Sequence, residues 1–317
     1  MTTRKTANSF TKPDVVVAVA RMLLTREVGQ RIPTLAELQT RAGAGTGTVV
    51  KALRAMEDDG AVRLEPRGRH GTIVVGRDVG RLWNAADLGN FRLVMPPPGP
   101  VEQQGTLEVV QDTLRRLGVA LVVDFLRGAE NRLTEVHQER AHATLTSAGA
   151  LEHHRETLPG LLGADLGPNT FYSPGSLVVV EHRDRPPRDP LVVGIDRSSY
   201  DHEHLSRQAF AGRSVRFADC SFVRAPAAVL ASDIDTAIWH AMPTVIPPEL
   251  AGLTLRPLDL GGGQEGSDRI CRAVLVTRAN DACTNALLRA VRPASITRRQ
   301  NELLQAADDE PGRLWPR

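Results

Sequence analysis

Apolar residues near the start of the chain recur at three- and four-residue spacing over two short stretches and then switch to alternate spacing. The first stretch predicts a helix beginning after Pro33, where Thr34 and Glu37 have the spacing of a capping box, and ending near Ala42-Gly43. Gly45 and Gly47 open a second helix that Thr46 or Thr48 is placed to cap. Val49, Leu53 and Met56 form its buried face, and Thr46, Thr48 and Lys51 lie on other faces. After Gly60 the period falls to two. Val62 and Leu64 alternate with Arg63 and Glu65, Pro66 to Gly71 turns the chain, and Thr72 to Val75 returns, which predicts a hairpin tipped by Arg67, Arg69 and His70. Ahead of the pair, Val15, Val16, Val19, Ala20, Leu23 and Leu24 mark a strongly apolar helix starting at Pro13-Asp14. It is expected to pack under the pair and to reach a second subunit.

Helix, glycine-containing turn, helix and basic-tipped hairpin together outline a winged helix-turn-helix. Its second helix suits the major groove, its amino end suits a phosphate, and the hairpin tip suits the backbone or the minor groove. Thr34, Thr46, Gly47, Thr48, Lys51, Arg67, Arg69 and His70 are the candidate DNA contacts.

Residues 76–90 have mixed polarity and read as a linker. From Phe91 onward, short apolar runs alternate with amphipathic stretches such as Leu107, Val110, Leu114 and Leu117. Repeated strand-then-helix units predict a parallel α/β body whose ligands collect beyond the carboxyl ends of strands. A break in the middle and a return near the end divide it into two lobes, about 91–185 with 270–300 and about 191–265. The expected organisation is a head over 1–78, a linker over 79–90, a body over 91–300 and a polar tail over 301–317.

Charge sharpens this division. Residues 1–80 hold 13 Lys+Arg against 8 Asp+Glu, net +5, and the remainder 26 against 29, net −3, so positive charge concentrates where DNA contact is expected. Arg4, Lys5 and Lys12 add to it. Aromatic residues make up only 4% of the chain, so the cores must be filled by Val, Leu and Ala. The start lacks an apolar leader, no later run has the length to cross a bilayer, and Cys220, Cys271 and Cys283 have neither disulfide-framework nor metal-site spacing. A cytoplasmic protein is expected.

Two resemblances organise these pieces. Ile32-Pro33-Thr34, Lys51-Ala52-Leu53, Gly60-Ala61-Val62 and Gly68 to Thr72 resemble the DNA-binding domain of the GntR family. Gly45-Thr46-Gly47-Thr48 departs from the arginine usual near the start of that family's recognition helix, so base preference does not carry over. Residues 91–295 resemble the carboxy-terminal domain of the YhfZ family, through Val94-Met95-Pro96, Arg127 to Glu130, Asp165 to Thr170, Val193 to Asp196, Asp235 to Trp239 and Val274 to Arg278. This second resemblance implies a GntR-like head on a body similar to type II periplasmic-binding proteins, and a role in transcriptional regulation.

Turns that follow predicted strands point into the expected gap between the lobes. Pro98, Gly99, Arg127, Gly128, Ser147, Asp196, Ser198, Ser199, Asp235, Trp239 and His240 are the candidate effector contacts. Arg127, the serines and helix amino ends favour a small anion, whereas Asp196 and Asp235 favour an amine or hydroxyl, which keeps a zwitterion open. Catalytic readings find less support. His153-His154 and His202-x-His204 lack an H-E-x-x-H or a compact Cys/His set, and Ser198 lacks a nucleophile elbow. Gly261-Gly262-Gly263 lacks a phosphate-loop lysine, and no Schiff-base lysine for pyridoxal phosphate stands out. The expected protein is a homodimeric, ligand-responsive regulator of double-stranded DNA with no cofactor or metal. An enzyme with a vestigial head and a constitutive DNA-binding protein whose cleft is plugged by its own side chains are the competing classes.

Overall fold

A computed structural model of the chain describes residues 12–242, 244, 246–258 and 265–309. Arg4, Lys5, the triple glycine at 261–263 and the end of the expected tail lie outside these residues. In chain order the elements are α1 (Lys12–Leu24), α2 (Leu35–Ala42), α3 (Thr46–Asp58), β1 (Val62–Pro66), β2 (Thr72–Arg77), α4 (Val79–Ala85), β3 (Phe91–Met95), α5 (Val101–Arg116), β4 (Leu121–Phe125), α6 (Ala129–His137), β5 (Ala143–Ser147) and α7 (Ala148–His153). There follow β6 (Leu161–Asp165), β7 (Leu177–His182), β8 (Leu191–Ile195), α8 (Tyr200–Ala209), β9 (Val215–Asp219), α9 (Ala225–Leu230), β10 (Thr236–His240), β11 (Leu253–Pro257), α10 (Glu265–Cys271), β12 (Ala273–Arg278), α11 (Ala282–Leu288) and α12 (Pro293–Asp309). They group into two compact units.

The first unit holds the described residues up to Phe91, with Gln111–Val122 and Asp281–Val291. Val15, Val19, Ala20, Leu23 and Leu24 bury one face of α1 against α2, α3 and α4. Thr34 and Glu37 close the expected capping box on α2, and Gly43 ends that helix with φ of 60°, a left-handed turn that suits glycine. The start of α3 differs from expectation: its cap is Gly45, which supplies no side-chain acceptor, and Thr46 is already helical. Ala52, with Val49 and Met56, is buried, and Leu53 is only half-buried. The hairpin of β1 and β2 is antiparallel, and Gly29 to Ile32 add main-chain bonds along β2.

Residues 79–90, read as a linker, instead begin with a helix. Asp78 caps α4, and Leu82, Trp83 and Ala86 are buried because an apolar stripe on so short a helix must find a partner; α1 and α11 provide it. Gly80 is required there, since a Cβ at its position would stand 1.7 Å from the carbonyl oxygen of Leu117.

The second unit contains two five-stranded sheets, ordered β4-β3-β5-β12-β6 and β9-β8-β10-β7-β11. The two orders are the same when strands are counted within each lobe: second, first, third, an inserted strand, fourth. β12 and β7 are the inserted strands, and each runs antiparallel to both its neighbours. This strand order gives a mixed α/β architecture that resembles the expected periplasmic-binding-protein fold. The first crossing between sheets falls at 166–176, earlier than expected, because β7 belongs to the second sheet and not to the first lobe. Val178, Val180 and Trp239 face one core of that sheet with α9, while Val179, Val193 and Ile238 face the other with Leu205 of α8. The expected polar tail continues α12 through Asp309; ahead of it, Ile296 and Gln300 of the same helix are buried, and Gln300 donates to Glu102 O, Thr106 Oγ1 and Thr170 O.

Candidate functional site

In the first unit, Thr34, Thr46, Gly47, Lys51, Arg67, Arg69 and His70 are exposed and Thr48 is half-buried. Thr34 is engaged by its cap, and Thr46 Oγ1 accepts from Gln39 Nε2. Gly45 offers the first turn of α3 no side-chain cap, so its amino end retains N–H donors of the kind that bind phosphate. At the hairpin tip Arg67 pairs with Glu65 at 2.9 Å, an exposed contact that a phosphate can displace at little expense. Arg31 packs where a Cβ on Gly71 would stand, and Gly71 has φ of 80°, so that position demands glycine.

In the second unit, most expected cleft residues meet across the seam between lobes. Arg127, after β4, donates to Asp196, after β8, at 2.9 Å, and the carbonyl of Ser198 lies against Gly128. Asp196 also accepts from Ser198 N and Oγ and from Phe222 N. Burial pushes its pKa up, but these donors and Arg127 together hold it below the usual value. Ser147 caps α7 and donates to Asp201 at 2.7 Å, Ser199 caps α8, and Gly99 packs against the sulfur of Met242. Pro98 is the exposed residue of that loop.

His240 closes the deepest contact. Its Nε2 lies 3.2 Å from Glu102, and its ring meets Tyr172 edge-on. Both members of the pair are 2% exposed in their side chains. Glu102 also accepts from Ser173 N and Oγ. Although burial raises the carboxyl, the charge and hydrogen bond of His240 and the two donors of Ser173 outweigh it and bring the pKa down to about 2.

Two expected residues fall elsewhere. Asp235 precedes β10 while His240 ends it, so five residues of strand, about 16 Å, separate Asp235 from the seam. Asp235 binds Arg188 and the backbone of Val192 instead. Trp239 is adjacent to His240 and points to the opposite face, into the core with Val178 and Val180.

Glu102, Arg132, Asp201 and Tyr172 were not among the expected residues. Buried Arg132 donates to the carbonyls of Leu145 and Leu126. Burial lowers its pKa to about 10, against the raising effect of Asp201 and Tyr172. Burial lifts Asp201 to about 7, against Ser147 and Arg132. Glu102, Arg132 and Asp201 all sit in the first turn of a helix that follows a strand. Helical side chains tilt back toward the amino end, so these residues return to the turn that precedes them. That geometric rule was the available signal.

The histidines do other work. His202 Nδ1 accepts from Asp196 N, which leaves Nε2–H to donate to Ile238 O; burial lowers its pKa. His153 stacks on Tyr200. Among the described residues no group of three or more His, Cys, Asp or Glu is gathered to hold a metal, and no helix is long and apolar enough to cross a membrane.

A family model for a helix-turn-helix domain matches residues 27–74, and one for the YhfZ C-terminal domain matches residues 78–311. The uncharacterized protein YhfZ of Escherichia coli (strain K12) is 26% identical over 301 residues, covering 94% of this chain and 96% of that protein. The crystal structure of YhfZ from Shigella flexneri is similar with a TM-score of 0.54 at 20% identity, over 72% of this chain and 95% of that one. The BvgS VFT2 domain of Bordetella pertussis gives a TM-score of 0.49 at 17% identity, over 73% and 96%. With a helix-turn-helix head followed by a YhfZ C-terminal domain across most of its length, this chain belongs to the YhfZ family.

Proposed function

We propose that this protein is a cytoplasmic, homodimeric transcriptional regulator whose affinity for double-stranded DNA is set by a small polar molecule held between the two lobes. The observation that carries this reading is the union, in one chain, of a helix-turn-helix head with an exposed basic hairpin tip and a two-lobed body whose lobes meet through charged side chains. The head is the output and the seam is the input. Signs are sorted across most of that seam: Arg127 and Arg132 belong to the first lobe, Asp196 and Asp201 to the second. A ligand bearing a carboxylate or phosphate and an amine or hydroxyl can exchange into the Arg127–Asp196 pair, its anionic end toward Arg127 and its cationic end toward Asp196. A ligand of one sign leaves a buried partner uncompensated, which costs several kcal/mol. Ligand and self-contact thus compete for the same groups, so binding shifts the population between lobe arrangements. No catalytic step forms part of this reading.

One observation favours a second reading, a constitutive DNA-binding protein without effector: Arg127–Asp196, Glu102–His240 and Ser147–Asp201 already satisfy one another. Native mass spectrometry of freshly purified full chain separates the two. The effector reading predicts a dimer that releases a small polar molecule on mild activation, and a loss of that adduct in Arg127→Ala. A dimer without adduct, both as purified and after incubation with a small-metabolite extract of the host cells, contradicts the effector and leaves the second reading.

A further inference from the structure

The edges of the two sheets are not alike. β4 carries Asp124, paired to Arg92, β9 carries Arg216, and β11 ends in Arg256-Pro257, with Arg256 paired to Glu181. Charges and proline of this kind blunt an edge against pairing with another strand. β6, Leu-Leu-Gly-Ala-Asp, has neither before its last residue. Among the described residues it is an end strand, bonded to β12. The bonds Leu166 N to Ala273 O and Ala279 N to Gly160 O fix the phase of that pairing, so the residues exchanging main-chain bonds with β12 are 160, 162, 164 and 166. The N–H and C=O groups of Leu161, Gly163 and Asp165 therefore point outward. Leu162, 49% exposed, and Ala164 are uncovered on one face. On the other face lies a groove of about 420 Å³ that Leu161, Arg155 and Leu158 share with Asp165 and Arg272.

We propose that β6 is the dimer edge, paired antiparallel with β6 of a second copy about a two-fold axis through Gly163. The segment is complementary to itself in this register. Gly163 meets its own symmetry mate, and Leu161 meets Asp165 of the partner subunit. The outward groups of both strands then close about six main-chain hydrogen bonds, and the two five-stranded sheets become one. Leu162 of each copy lies beside Ala164 of the partner subunit, so the uncovered apolar residues cover one another. On the opposite face the partner's Asp165 arrives beside Leu161 at the groove, each Asp165 keeping Arg272 of its own chain as counter-charge. A second copy fits better than an unrelated peptide because one sequence supplies both halves of each match. This inference rests on the dimeric reading above and names its surface.

Leu162→Lys and Leu162→Lys/Ala164→Glu test it, both at exposed positions. Sedimentation equilibrium of the full chain at micromolar concentration is the measurement, with circular dichroism confirming equal helix content. Pairing through β6 predicts a wild-type dimer, at least tenfold weaker association in L162K, where each lysine replaces an apolar contact at the seam, and recovery in the double variant, where lysine faces glutamate twice across the axis. A dimer unaffected by L162K overturns the edge while the dimeric reading survives. A double variant that stays weak overturns the register, and a monomeric wild type overturns edge and dimer together.

Discussion

Asp201 shows how the seam couples charge to stability. Its carboxyl is almost wholly out of water, accepts from Ser147, and has Arg132 nearby, yet burial prevails and lifts its pKa to about 7 from a reference of 3.8. Between those values the folded state holds a proton that the unfolded state has released. The stabilisation is therefore complete below pH 3.8 and is lost as pH rises through about 7. Asp201→Asn keeps the oxygen that Ser147 bonds and removes the titration. Its melting temperature is expected to lack the wild-type decline between about pH 4 and 7; parallel profiles for the two proteins would count against a buried, raised Asp201. Glu102 works in the opposite sense, its depressed pKa adding stability that is lost only as pH falls toward about 2. The seam thus mixes one carboxyl that resists ionisation with one that is ionised throughout the neutral range.

At the scale of elements, α4 separates what the sequence states from what tertiary packing decides. Short length, three glycines and mixed polarity over 76–90 read as a linker, and nothing local says that Leu82 and Trp83 will find α1 and α11. Gly80 then becomes a packing residue. Gly80→Ala is expected to destabilise the protein by about 3 kcal/mol, the upper end for overpacking, because backbone at Leu117 must yield; a midpoint unchanged in urea would show that α4 packs more loosely. Legibility followed the same line elsewhere. Thr34 and Glu37, the hairpin turn and the serine caps Ser147 and Ser199 are local devices and could be read directly. The inserted strands β7 and β12 pair with residues far along the chain, so no local signal places β7 in the second lobe or marks β6 within its glycine-broken stretch. Turn chemistry points to Arg127 and Asp196, which meet at the seam, whereas the first-turn residues Arg132 and Asp201 return to it by helical tilt, which turn chemistry does not signal. Asp235 and Trp239 lie away from the expected cleft, one at the opposite end and one on the opposite face of the strand that carries His240.

For the whole molecule, the division of charge matches the division of labour proposed for it: net +5 over residues 1–80 and net −3 over the rest. A basic head raises local DNA affinity through counterion release, and a mildly acidic body avoids adding nonspecific attraction of its own. The exposed candidate contacts Thr46, Gly47 and Lys51 are small or flexible, so in the proposed role base reading falls to few groups and Arg67 and Arg69 are expected to carry much of the affinity. The central claim is that this head binds DNA as part of a two-fold regulator. Selection by the full chain from a pool of random-sequence duplexes tests it most directly, with Arg67→Ala/Arg69→Ala selected in parallel. The account predicts that the wild type enriches a site of two related half-sites spaced by a whole number of helical turns, and that the variant enriches it weakly or not at all. A wild-type pool that remains random after repeated rounds at low salt would contradict it.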